Sequence, residues 1–178
     1  MTTEQVVEQT KSWLTSFIIH YNICPFAKGE YERESIYYSV VESEQTELCL
    51  EALFSECQRL DTHTEIETTL IIFPTQFVMF DDYLGFLNLA ESLLIEQNYE
   101  GIYQLASFHP HYCFEGEDIM DPANYTNRSP YPMLHLIREA SLERALQSYP
   151  NPELIPERNI KLTRKMGIET IQAILNKK

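Results

Sequence analysis

Apolar residues near the start of the chain recur at helical spacing. Val6, Thr10, Trp13, Phe17 and Tyr21 fall three or four positions apart, which predicts an amphipathic helix over about residues 3–20. Thr2 and Gln5 precede it at capping-box spacing. Pro25 disfavours helical geometry at Cys24, so the helix ends within Asn22–Phe26. Glu30 to Glu34 reads as a charged connection, and Ser35 to Val41 has strand composition. Ser43 is placed to cap a second helix with Leu50, Leu53, Phe54, Cys57 and Leu60 as its stripe. Thr68 to Phe73 is a nearly continuous β-branched run closed by Pro74, the pattern of a strand covered on both faces.

Asp81 opens a third helix with Tyr83, Phe86, Leu87, Ala90, Leu93 and Leu94 inward, and Gly101 resets the chain before a third strand, Ile102 to Phe108. Ser129-Pro130 predicts another helix start, a hydroxyl cap followed by proline at the first helical position, with Pro132 still in the first turn. That helix is expected to reach about Gln147. Pro150, Pro152 and Pro156 then mark a turn before one or two C-terminal helices interrupted near Gly167. Strands alternating with helices at these lengths favour parallel pairing. The expected fold is therefore a single α/β domain over residues 1–178: a small, mostly parallel three-stranded sheet flanked by helices, with a helical C-terminal segment. An α+β layer with one antiparallel strand is the alternative.

A hydrophobic content of 44% with 22% charged residues is that of a globular chain. Only five glycines are present and no Gly-rich phosphate-binding pattern occurs. The net charge of −14 is concentrated in residues 28–100, which hold sixteen acidic and three basic side chains. Such a body repels nucleic-acid phosphates and anionic lipid, so neither is an expected partner. The basic residues Arg158, Lys161, Arg164, Lys165, Lys177 and Lys178 read as a solvated helix face. Cys24, Cys49, Cys57 and Cys113 are widely spaced, with no zinc-knuckle or disulfide framework. Neither a secretory start nor a membrane-length apolar run is present, so the expected location is the cytoplasm.

The chemistry concentrates in residues 107–139. His109 lies just past the third strand, where ligands settle in open parallel sheets. The predicted helix start at Ser129 would present free N–H groups to an anion, and Arg128 would add a bidentate contact. On that helix His135, Arg138 and Glu139 would share a face. The leading expectation is an enzyme acting on an anionic small molecule. His109 is its general acid/base; Asn124, Asn127, Arg128, Ser129, His135 and Arg138 bind or orient substrate, with His135 also a candidate catalytic group. Cys24 is an optional nucleophile. Replacement of His109 by Ala is then expected to abolish turnover with little change in melting.

Two other readings stay open: a metabolite-binding or interaction module without turnover, and a hydrogen-bonded brace for the long loop. His109 and His111 could begin a metal site, but Pro110 separates them and no second spaced pair confirms it. No metal ligands are assigned, and cofactor and oligomeric state stay unspecified.

Three segments, Asn22-x-Cys-Pro-Phe-Ala27, Ser107-Phe-His-Pro-x-Tyr112 and the long run Asn124 to Glu139, resemble the family called domain of unknown function 1415. The similarity runs from the first helix to Pro156–Ile160. It implies a compact cytoplasmic protein of bacterial type and brings no assigned activity. In that family the position of His111 is often not histidine, which weakens the metal reading.

Overall fold

In the computed structural model, which describes residues 1–176, four strands form one sheet in the order β1 (Ile36–Val40), β2 (Thr68–Ile72), β4 (Met133–Arg138), β3 (Tyr103–Phe108). β1 and β2 are parallel, whereas β4 runs antiparallel to both β2 and β3. The sheet thus has four strands and is mostly antiparallel, not three and mostly parallel. The difference lies in residues 129–138. β2 and β3 run the same way but leave a slot between them, and β4 fills it and satisfies the backbone groups on both sides. Alternation suits the slot: Leu134 and Leu136 enter one core, Met133 the other. Pro130 and Pro132 lead into extended chain instead of a first helical turn, and Phe73 N–H donates to Pro132 O. A helix follows only from Glu139.

Seven α-helices surround the sheet among the described residues. α1 (Thr3–Trp13) has the expected capping box: Thr2 Oγ1 accepts from Gln5 N–H, and Gln5 Oε1 accepts from Thr2 N–H. It continues as a π-helical segment, Leu14–Ile19. The expected charged connection is instead a short helix, α2 (Ala27–Glu32). α3 (Thr46–Thr62) and α4 (Phe80–Glu96) cover one sheet face, burying Leu53, Cys57, Leu60, Tyr83, Phe86 and Ala90 against Ile71, Leu134 and Leu136. Ser43 stands just before α3 and accepts from Gln45 N–H without capping the helix itself. The other face is covered by α1, the π segment, α6 (Ile155–Met166) and α7 (Ile168–Leu175), packed on Leu70, Ile72 and Met133. α5 (Glu139–Ser148) follows β4 and has no buried residue of its own.

Two basic residues of α6, Arg158 and Arg164, bridge to other segments of this second layer. Arg164 pairs with Asp121 (2.6 Å) and Glu117 (3.1 Å) of the long loop, and Arg158 donates to Asn22 O. These two are therefore not merely a solvated face, whereas Lys161 and Lys165 are exposed. Lys177 and Lys178 lie outside the described residues.

One buried group is mismatched. Thr69 is fully shielded and its Oγ1 has no hydrogen-bond partner. A buried hydroxyl without a partner is costly, and valine has the same shape and suits a strand. Thr69→Val is expected to raise unfolding stability by about 1 kcal/mol, read as a higher urea midpoint at unchanged slope.

Candidate functional site

Most of the residues singled out by sequence fall into two places. His109, Asn124, Asn127 and Arg128 come together within and around the loop joining β3 to β4, and there they bind backbone. The His109 ring is fully buried. Its Nε2 donates to Phe77 O (2.8 Å) and its Nδ1 accepts from His111 N–H (3.0 Å), so both ring nitrogens are occupied. The rings of Phe80 and Tyr83 lie 5.2 Å away, centre to centre. Burial pushes the imidazole pKa down, outweighing the bond to Phe77 O, and the ring stays neutral. The carbonyl it holds belongs to a residue with left-handed backbone, Phe77 at φ 59°. That conformation is costly for a bulky side chain and needs an anchor.

Asn124, also fully buried, accepts Phe114 N–H (3.0 Å) and donates to Asp118 O (2.9 Å). Asn127 Nδ2 donates to Ser107 O (3.0 Å). Arg128 donates to Tyr112 O (3.0 Å) and Ile119 O (2.7 Å) while its guanidinium lies over the Tyr125 ring. Ser129 Oγ donates to Tyr131 O (2.6 Å). With no helix beginning at Ser129, the N-terminal anion site expected there does not form. Arg138 donates to Leu60 O (2.6 Å) and Ile66 O (3.0 Å), holding the chain at and beyond the end of α3. His135, Arg138 and Glu139 do not share a helix face, because the first two lie on β4.

The second place is a cavity of about 150 Å³ on the sheet face opposite α3 and α4. Its floor is Ile36, Thr68, Leu70, His135 and Ile137; Trp13, Leu14 and Ile18 form one wall, Cys24, Phe26, Ala27 and Glu30 another, and Ser141, Leu142 and Ala145 of α5 a third. Phe108 and Glu67 complete it. Cys24 and His135 are thus brought to one cavity, while His109, Asn124, Asn127, Arg128, Ser129 and Arg138 are not among its lining. The cavity sits over the starts of β1 and β2, not beyond the carboxyl ends of the strands.

The lining is apolar with few polar groups. Glu30 and Glu67 are its charged residues, and no lysine or arginine among the described residues lines it. Glu30 pairs with Arg33 and accepts from Ser35 Oγ (2.7 Å). Burial raises the Cys24 thiol pKa, although the N–H groups of Phe26 and Ala27 and the nearby Arg158 pull it down. The sulfur is therefore a thiol, not a thiolate, at neutral pH. Burial lowers His135 to about 4, so that ring is uncharged as well.

A family model described as "Protein of unknown function (DUF1415)" matches residues 5–173. The chain belongs to that family. The match takes in both the braced loop and every wall of the cavity. No curated protein and no solved structure matches the chain. Among the described residues, no helix is long and apolar enough to cross a membrane.

Apart from Cys24 and His135, the cavity walls are candidate site residues that sequence reasoning missed. Trp13, Leu70 and Phe108 look like ordinary core positions. The one available signal was Thr68 heading a buried apolar strand, a hydroxyl that needs a partner once enclosed.

Proposed function

We propose that the chain is a binding protein for a small, mainly apolar molecule, seated between the π segment, the sheet and α5. The observation that carries this reading is the apolar cavity, with its few polar groups. An apolar void of about 150 Å³ is enough for a benzene-sized ring, and mostly apolar lining with a few placed polar groups is typical of ligand sites. The π segment supports the same reading: Leu14 and Ile18 line the cavity from it, and such turns occur frequently at functional sites. Two carboxylates and no cation in the lining argue against an anionic ligand. Four free cysteines fit a reducing cytoplasm.

A catalytic reading retains one observation, that Cys24 and His135 share the cavity. Against it, the thiol is held protonated and the imidazole uncharged.

Toluene titration followed by methyl NMR tests the binding reading. Saturable shifts are expected at Leu14, Ile18, Leu70, Ile137 and Leu142, with none at Leu53 or Leu60 in the opposite core. Ala145→Phe, which fills the space from α5, should abolish them. Non-saturable shifts, or shifts unchanged in the Ala145→Phe protein, would remove the cavity as a binding site.

A further inference from the structure

Within that cavity the hydrogen-bonding state of one group is fixed by the strands beneath it. Thr68 Oγ1 lies 2.6 Å from Leu136 O, a carbonyl that can only accept, so the hydroxyl hydrogen is committed there. The same oxygen is 2.7 Å from His135 Nε2. Having given its hydrogen away, Thr68 must accept, and His135 must carry its proton on Nε2. In the neutral ring that leaves Nδ1 a bare acceptor. Among the described residues nothing donates to Nδ1. Thr69 Oγ1 is, among the described residues, the sole side-chain polar atom both sealed from solvent and unpartnered, so Nδ1 is open to a small probe. The space adjoining His135 is the cavity.

Resting on the binding reading above, we infer that the ligand carries an uncharged hydrogen-bond donor, a hydroxyl or N–H on an apolar body, received by His135 Nδ1. Thr68 acts as a positioning residue that fixes the tautomer. The rest of the lining agrees: a carboxylate would face Glu30 and Glu67 without a cation, and an ammonium would lose its hydration among apolar walls. A phenol-like or alcohol-bearing molecule satisfies both the acceptor and the walls.

Three probes of similar size, toluene, phenol and benzoate, separate this inference from the reading beneath it. If Nδ1 receives a donor, phenol should bind about threefold to tenfold tighter than toluene, the range of one net hydrogen bond. If it does not, phenol should bind more weakly, because its hydroxyl would leave water for nothing. Benzoate should bind at least tenfold more weakly than phenol. Thr68→Val should lose the phenol preference, read as the ratio of phenol to toluene affinity within the same protein, whatever it does to the affinity for toluene itself. The imidazole 15N spectrum of the unaltered protein, which needs no variant, should show Nδ1 unprotonated and shifting with phenol but not with toluene. Toluene binding with no preference for phenol, or benzoate binding as tightly as phenol, overturns the donor inference and leaves the cavity standing. A phenol preference that survives Thr68→Val, or a protonated Nδ1, overturns the assignment to His135. Failure of all three probes to bind overturns the binding reading itself.

Discussion

Replacement of His109 by Ala is expected to destabilise the fold by about 3–5 kcal/mol, among the largest effects of any single substitution in this chain. Three losses combine. The ring leaves a void between Phe80 and Tyr83, both packed on it in a fully buried position. Phe77 O and His111 N–H lose their partners. The left-handed backbone at Phe77 loses its anchor, so the strain there is no longer opposed. His109→Phe separates these terms: it refills much of the volume but restores neither hydrogen bond, and should cost about 2 kcal/mol. Urea denaturation of both variants measures the difference. A His109→Ala protein within about 1 kcal/mol of the parent would show that the ring braces nothing. That expectation reverses the one drawn from sequence, where His109 was a general acid/base whose loss would leave melting nearly unchanged.

The reversal shows what kind of information local sequence holds. The capping box at Thr2 and Gln5 and the stripe through Val6, Thr10, Trp13 and Phe17 depend on residues a few positions apart, and they were legible. So was β2, because five consecutive buried residues leave a nearly continuous β-branched run. β4 was not. Ser129-Pro130 is a strong local helix signal, and Leu134, Ile137 and Arg138 fall at the helical i, i+3 and i+4 spacing. What decides the matter is the open slot between β2 and β3, set by residues about twenty-five to seventy positions away. The polar loop was legible as a set of groups that must find partners. That those partners are backbone carbonyls such as Phe77 O, Ser107 O and Tyr112 O depends on the path of the loop, which side-chain types do not encode. A cavity is harder still, since it consists of atoms that are missing. Trp13, Leu70 and Phe108 carry the same letters whether or not space remains between them.

Acid should weaken the fold in two separable steps, the first belonging to the histidines. An unfolded imidazole takes up a proton as pH falls through about 6.5, whereas folded His135 resists until about 4. Between those values the unfolded chain holds the extra proton, so stability falls as pH falls and levels off below about 4. The full depression corresponds to up to about 3 kcal/mol from His135. His109, lowered in the same direction by burial, adds to the loss with the same sign. Asp121 acts later. Arg164 and the Ala123 N–H hold its carboxyl down to about 2, so its contribution is present above 3.8 and is lost only as pH falls toward 2. Urea midpoints at pH 7, 5.5 and 4.5 should therefore decline in the parent protein. The decline should be shallower in His135→Gln, whose amide can still donate to Thr68, and unaltered in Asp121→Asn. A ligand that donates to Nδ1 engages only the unprotonated ring. Saturating phenol should raise the midpoint at every pH, and by slightly less at pH 4.5 than at pH 7, because protonation and ligand compete for one lone pair. A parent midpoint flat from pH 7 to 4.5 would mean that His135 is hydrated or free to turn. The fixed acceptor, and the donor-bearing ligand inferred from it, would fall with that result.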